Sequence, residues 1–426
     1  MIAAGSRRAR AARQALEPPV TVRVVDIDGL LGDLEPSLSR TGLVYRMARV
    51  VVRRGGRPLG EVDIRLDPAR ALRAEELREA ITSQLPSDLL SPRTPAVAQL
   101  SPAAGARLVS AVITTCGKVD ALTRCITAVG ASAYPSIEIL VVDNRPATSG
   151  VRRALAECSD ARIRVVDEPR QGLSRARNAG LAQARGEIVA FTDDDTVPDP
   201  QWLVWLERAF ADPSAPACVT GLILPYELET RQQITLEQFA RFGKGFEPRI
   251  FDLARPPAGD PLFPYAGGQF GSGANMALDV GFARRIGGFD PYLGTGTPAQ
   301  GGEDLDLCAR VLLAGGRIAY EPAAIVLHQH PDGDAHLRSV AFRYGVGLSA
   351  MLAKHLTVGG DRRRLIGAVP DGIRYLRARD SPKHASKSDD FPATLEWLER
   401  LGMLCGPAAY LKSRVSRPRF SLPRIS

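Results

Sequence analysis

From Leu108 onward, short apolar runs alternate with amphipathic stretches. LVSAVITT, IEILVVD, IRVVDE and EIVAFTDDD read as buried strands, and DALTRCITAVGA, VRRALAEC, LSRARNAGLAQA and the stretch after Pro200 as helices. Strands alternating with helices of this length imply right-handed crossovers, hence an α/β fold with a largely parallel sheet covered by helices on both faces. In such sheets ligands bind beyond the carboxyl ends of the strands. Asp143 closes one of these strands and Asp193, Asp194 and Asp195 close another.

The preceding segment has a different rhythm. VTVRVVDIDG and YRMARVVV alternate as strands do, RRGGRP is a turn, GEVDIRL is a further strand, and AEELREAITSQL has helical spacing. The expected organisation is a basic, disordered start (1–20), a small α+β unit (21–85), a Pro/Ser/Ala-rich linker (86–106), the α/β domain (107–330) and a basic helical C-terminal extension (331–426).

Charge narrows the partners. Residues 1–105 hold 16 Lys and Arg against 12 Asp and Glu, residues 106–330 hold 22 against 26, and residues 331–426 hold 17 against 9. A nucleic-acid enzyme concentrates basic charge around its active centre, whereas here the centre is mildly acidic, so no nucleic-acid partner is expected. Six scattered cysteines with no CxxC pair read as free thiols. No signal-peptide core and no apolar run near the ~18 residues of a membrane span are present, so a cytoplasmic location is expected. The basic extension, with LEWLERLGMLCGPAAYLKSR and LRSVAFRYGVGLSAMLAKHL, has two readings: contact with the inner membrane face, or helices packed on the catalytic domain.

Four stretches can carry chemistry. In FTDDDTVPDPQWL three successive carboxylates repel one another unless a hard cation or N–H donors offset the charge; a solvated, helix-capping acidic turn is the bland alternative. In RQGLSRARNAGLAQARGE, Gly172 opens a helix whose first turn carries Ser174, Arg175, Arg177 and Asn178, a cradle for phosphate or an ordinary amphipathic helix. The loops GGQFGSGANMAL and GGFDPYLGTGTPAQGGEDLDL lead to Glu303 and Asp304, suited to holding a base rigidly or to capping a helix. His328 and His330 alternate along a strand end and could complete a carboxylate and imidazole metal site.

Taken together, the strand ending in TTCGK, VVDN, GLSRARNAG, FTDDD, GSGANMA and GGEDLDL before AGGRIAYEP resemble, in order and spacing, the family 2 inverting glycosyltransferases of GT-A fold. The resemblance spans about Leu108 to His330. It implies a nucleoside-diphosphate-sugar donor, an acceptor hydroxyl that stays unidentified (saccharide, lipid-linked or small molecule), and Mn2+ or Mg2+ as cofactor. By the same resemblance Asp143 binds the nucleotide base, Arg175 and Arg177 lie near the diphosphate, and Asp194 contacts ribose. Thr115, Asn178, Asp193, Gly273 and Asn275 join the donor-binding set. Asp195 is the metal ligand with Asp193, His328 and His330 beside it; Asp304 is the general base and Glu303 positions the acceptor. The opening segment departs from the pattern, with Thr115, Cys116 and Gly117 where the family often has proline and tyrosine or asparagine. The glutamine-x-x-arginine-tryptophan motif of processive synthases is absent after His330, which implies single transfers. The rival readings are a sugar-phosphate nucleotidyltransferase and a noncatalytic carbohydrate-binding module.

Overall fold

The computed structural model describes residues 16–90, 106–156, 158–257, 260, 262–265, 267–377 and 391–416. The expected disordered start and the linker therefore fall largely outside the described residues. Two compact units are present.

The small unit comprises the N-terminal segment together with residues 225–237 and 330–332, so it draws on three parts of the chain. Strands β1 (Val20–Asp26), β2 (Met47–Arg54) and β3 (Arg57–Arg65) carry helix α1 (Ala74–Gln84). β1 and β2 run parallel, β2 and β3 form an antiparallel hairpin, and the short strand β10 (Glu227–Leu228) adds to β1 in antiparallel sense. Leu77 and Ile81, one turn apart on α1, are fully buried with Val50, Val52 and Val62 from the sheet.

In the large unit the alternation expected from the sequence appears as β4 (Val109–Thr115), α2 (Val119–Gly130), β5 (Ile137–Asp143), β6 (Ile163–Asp167), α3 (Leu173–Gln183) and β7 (Ile188–Asp193). These four strands are parallel, in the order β7-β4-β5-β6. Every residue of β4 and β5 is buried, which is why both read as mainly apolar runs without polar alternation. β6, at the sheet edge, is only half-buried.

Beyond β7 the sheet becomes antiparallel. The chain continues through β8 (Thr196–Pro198), α4 (Trp202–Phe210), β9 (Cys218–Pro225), β10 (Glu227–Leu228), α5 (Arg231–Ala240), β11 (Arg249–Phe251) and β12 (Asn275–Asp279) to α6 (Glu303–Leu313) and β13 (Ile318–His328). β12 pairs antiparallel with both β7 and β9, and β13 with β8 and β11. The parallel half thus matches the sequence expectation; the antiparallel half comes from strands too short, or too far apart in sequence, to show periodicity. Three helices complete the described chain: α7 (Asp334–Thr357), α8 (Arg362–Arg377) and α9 (Ala393–Val415). No described helix is long and apolar enough to cross a membrane. All six cysteines are free thiols.

Candidate active site

Parallel register sets the carboxyl edge of the sheet. Thr115 lies opposite Asp143 and Thr114 opposite Asp193, so three adjacent strands end together. The buried Asp143 carboxylate accepts from the Arg145 N–H (2.9 Å) and from the Ser149 hydroxyl. Thr115 donates its hydroxyl to Asp194 Oδ2 at 2.6 Å and accepts the Gly117 N–H at 3.0 Å.

Cations relieve the repulsion among the three aspartates. Lys118 Nζ stands 2.8 Å from Asp195 Oδ2 and 4.0 Å from Asp194 Oδ1, and His328 Nε2 stands 3.5 Å from Asp195 Oδ1. Burial pushes the Asp195 carboxyl up, but His328 and Lys118 hold it below the ordinary carboxylate range. Burial raises Asp194 to about 6 against the Thr115 hydrogen bond, with Asp195 adding to the rise. Among the described residues no three His, Cys, Asp or Glu side chains converge to hold a metal by themselves. Asp195 and His328 still offer the hard oxygen and imidazole nitrogen that suit a divalent ion, and Lys118, 65% exposed, is a displaceable positive charge on the same carboxylate. That set fits an ion completed by substrate phosphate. Lys118 was absent from the sequence-derived site set, and its place directly after the strand-end TTCG is the signal that could have found it.

The second carboxylate pair lies at the start of α6. Gly302, at φ +84°, caps the helix, and a Cβ there would stand 2.3 Å from the Gly347 carbonyl oxygen of α7. The backbone reversal that presents Glu303 and Asp304 therefore rests directly on the C-terminal extension. Asp304 Oδ2 accepts the Gly273 N–H at 3.0 Å and Oδ1 the Leu305 N–H at 2.9 Å, which fixes the carboxylate. Two residues along, the fully buried Asp306 accepts from Arg310 (2.8 Å) and Lys354 (2.5 Å), and Lys354 also reaches Asp290 at 3.0 Å. Burial opposes the Asp306 charge, yet Arg310 and Lys354 hold its carboxyl far below the usual range.

Arg177 joins the two carboxylate groups. Its buried guanidinium donates to Asp193 Oδ1 at 3.2 Å and to Glu303 Oε1 at 3.0 Å, and its carbon lies 5.4 Å from the Phe289 ring centroid. Burial and then neighbouring Asp304 raise Glu303 to about 7, against the pull of Arg177.

Several sequence-derived assignments are corrected. Arg177 is committed to these carboxylates rather than open to a diphosphate, because a buried guanidinium requires paired anions. Asn178 spends its amide on both backbone groups of Phe289, at 2.8 Å each. Asn275 accepts from Trp202 Nε1 (2.8 Å) and donates to the Leu222 and Ala324 carbonyls (3.0 and 2.8 Å), clamping strands rather than facing a ligand. At the start of α3, the Gly172 N–H goes to Asn144 Oδ1 and the Leu173 N–H to the Thr295 carbonyl, so this is a loop anchor, with Ser174 and Arg175 buried beside it. His330 belongs to the small unit, where its Nε2 lies 2.7 Å from Glu237 Oε2. β13 ends at His328, so the alternation that would give both histidines one direction stops short.

Residues 110–272 match the model of glycosyl transferase family 2. Over 276 residues the chain is 29% identical to the pre-mycofactocin glycosyltransferase of Mycobacterium tuberculosis, covering 63% of this chain and 53% of that protein. It is 27% identical over 229 residues to the succinoglycan biosynthesis protein ExoO of Rhizobium meliloti, covering 53% of this chain and 61% of that one. The mannosyltransferase PcManGT of Pyrobaculum calidifontis, solved in complex with GDP-Man and Mn2+, aligns with TM-score 0.44 and 19% identity over 73% of this chain and 86% of its own. The chain spans about half the length of the mycobacterial relative. The matched stretch, which holds all but the first residue of β4, the acidic end of β7 and the loop up to Ser272, is similar to the catalytic region of glycosyl transferase family 2.

Proposed function

We propose that this protein transfers a sugar from a nucleoside-diphosphate donor to an acceptor hydroxyl, one residue per encounter and with inversion at the anomeric carbon. The observation that carries this reading is the Arg177 bridge: one buried side chain spans Asp193 of the acidic strand end and Glu303 beside Asp304. Groups suited to a diphosphate with its cation and a group suited to a hydroxyl proton are thereby held a guanidinium apart. Asp195 and His328 would hold a divalent ion of the Mn2+ or Mg2+ class, which when bound neutralises the leaving diphosphate. Asp143 and Thr115 stand at the strand ends where the nucleoside would lie, and Asp194, beside Thr115, would contact ribose.

A sugar hydroxyl is a weak nucleophile that needs a base. Asp304, held by the Gly273 and Leu305 N–H groups, takes that proton as the acceptor oxygen bonds to the anomeric carbon and the bond to the diphosphate oxygen breaks. Glu303, whose carboxyl burial and Asp304 push up to about 7, can hold a proton and donate it in a hydrogen bond to the acceptor without adding a second full charge beside the base. Donor identity is tested by thermal shift with a panel of nucleotide sugars, each with and without Mn2+ or Mg2+, since a ligand that binds only the folded state raises its melting temperature. Metal-dependent stabilisation that is lost in Asp195→Asn supports the site; undiminished binding in that variant overturns it. An α-to-β or β-to-α change between donor and product, read by NMR, tests inversion, and pyrophosphate release would indicate nucleotidyl transfer instead.

A further inference from the structure

Helix α9 has two seams. Leu395, Glu399, Gly402, Gly406, Tyr410 and Ser413 form the buried one. It lies tightly on α7: a Cβ on Gly402 would stand 2.1 Å from the Phe342 carbonyl oxygen, and one on Gly406 2.5 Å from that of Val346. The second seam points the other way and follows a four-three spacing: Trp397, Leu401, Leu404, Ala408, Leu411 and Val415. Trp397 is 61% exposed, Leu404 80%, Leu411 56% and Val415 88%. At ~1.5 Å per residue this apolar ridge is about 27 Å long, and its spacing drifts by only about 20° per heptad, so it stays on one side of the helix. A ridge of this kind, exposed at every position but the half-buried Leu401, marks an interaction surface.

Charge identifies the partner. The exposed charged residues of α9 are Arg400, Lys412 and Arg414, all cations, while Glu396 is half-buried beside Arg400 and Glu399 is buried. A second copy docking through this face would set cations against cations. An anionic lipid surface complements both features, taking the apolar ridge at the acyl boundary and the cations at the phosphates. We propose that α9 lies flat on an anionic phospholipid bilayer, with Trp397, Leu404, Leu411 and Val415 inserted and Arg400, Lys412 and Arg414 at headgroup level. This surface is separate from the catalytic groups, so the proposal stands or falls independently of the donor chemistry.

Trp397 supplies a built-in reporter, because the other two tryptophans, Trp202 and Trp205, are buried. The full chain is mixed with phosphatidylcholine vesicles with or without phosphatidylserine, and sedimentation and tryptophan emission are read at moderate salt. The expected result is pelleting with the phosphatidylserine vesicles, a blue shift in emission that disappears in Trp397→Phe, and weakening as salt rises. Leu404→Ser with Leu411→Ser should cut partitioning at least tenfold, and each of Arg400→Gln, Lys412→Gln and Arg414→Gln should cut it about fivefold. Absence of pelleting overturns the proposal, as does equal pelleting on both vesicle types. A concentration-dependent dimer in sedimentation velocity that the leucine pair of substitutions abolishes would assign the ridge to a second copy instead. Should the leucine variant fail to fold, the unmodified protein decides: unchanged emission and unchanged iodide quenching of Trp397 with anionic vesicles overturn the assignment.

Discussion

The acidic end of β7 and the turn that opens α6 both crowd carboxylates together, and they relieve the crowding in opposite ways. At β7, Asp195 is balanced by Lys118, an exposed side chain on a flexible stem. At α6, Glu303 and Asp304 are balanced by a buried guanidinium and two backbone N–H groups. The first arrangement can exchange its cation at little cost, which suits a site that admits a metal and a diphosphate and then releases them. The second resists rearrangement, which suits a base that must meet its proton at one angle. Charge is thus adjustable where the donor is proposed to bind and fixed where the acceptor is proposed to react.

Breaking the fixed side should have the largest effect. Arg177→Met leaves Asp193 and Glu303 without their shared cation, and the expected loss is about 3–5 kcal/mol of folding stability, read by urea denaturation. A loss below about 1 kcal/mol would mean that Asp193 and Glu303 repack or protonate readily, and the contrast would fail. Next, Asp304→Asn should lower turnover by about two orders of magnitude or more while sparing donor affinity. Collapse of donor affinity with intact turnover at saturation would move Asp304 to the binding side.

The pH dependence of the buried acid sharpens the same contrast. Glu303 has its folded-state pKa raised to about 7 from an ordinary value of 4.5, so the folded state holds a proton that the unfolded chain has lost. Its contribution to stability is therefore undiminished below the unfolded value and declines as pH rises from 4.5 through about 7. Glu303→Gln keeps an acceptor for Arg177 and removes that decline; it should be more stable than the parent at pH 8, by the order of 1–3 kcal/mol, with the gap closing toward acid. Parallel stability profiles would contradict the assignment. The smallest effect is expected on the adjustable side, where Lys118→Ala should tighten Mn2+ binding to the ligand-free protein about two- to fivefold, measured by the free-Mn2+ EPR signal. Weakened binding would show that Lys118 is not a displaceable counter-charge.

The parts of this architecture that were legible in the sequence are those whose pattern is local. Val109–Thr115 and Ile137–Asp143 are buried on both faces and so read as mainly apolar runs, and α6 starts at Glu303 as its acids suggest. The three-residue strands β8 and β11 carry no period to read. At the site, a polar residue beside a motif declares its chemistry but not its direction. Asn178 and Asn275 look like ligand contacts in sequence, yet their amides serve Phe289, Trp202, Leu222 and Ala324, all distant along the chain. Asn144, which accepts the Gly172 N–H and donates to the Glu168 and Arg170 carbonyls, carries no local pattern that declares this role. His330 lies two residues past the end of β13, where strand alternation no longer sets a side chain's direction.

The contact between Gly302 and Gly347 separates two boundaries that are easily taken for one. The motifs that resemble the family have ended by His330, but the wall behind the turn that carries Asp304, the proposed base, is built from α7, where Lys354 also grips the neighbouring Asp306. A chain shortened after His330 would keep every motif residue and lose the surface on which the turn at Gly302 rests. Grafting the motif-bearing region onto a foreign partner would thus transfer the family's signature without its working geometry, unless the recipient offered a helix with a gap the width of one missing side chain and a cation one further turn or two along.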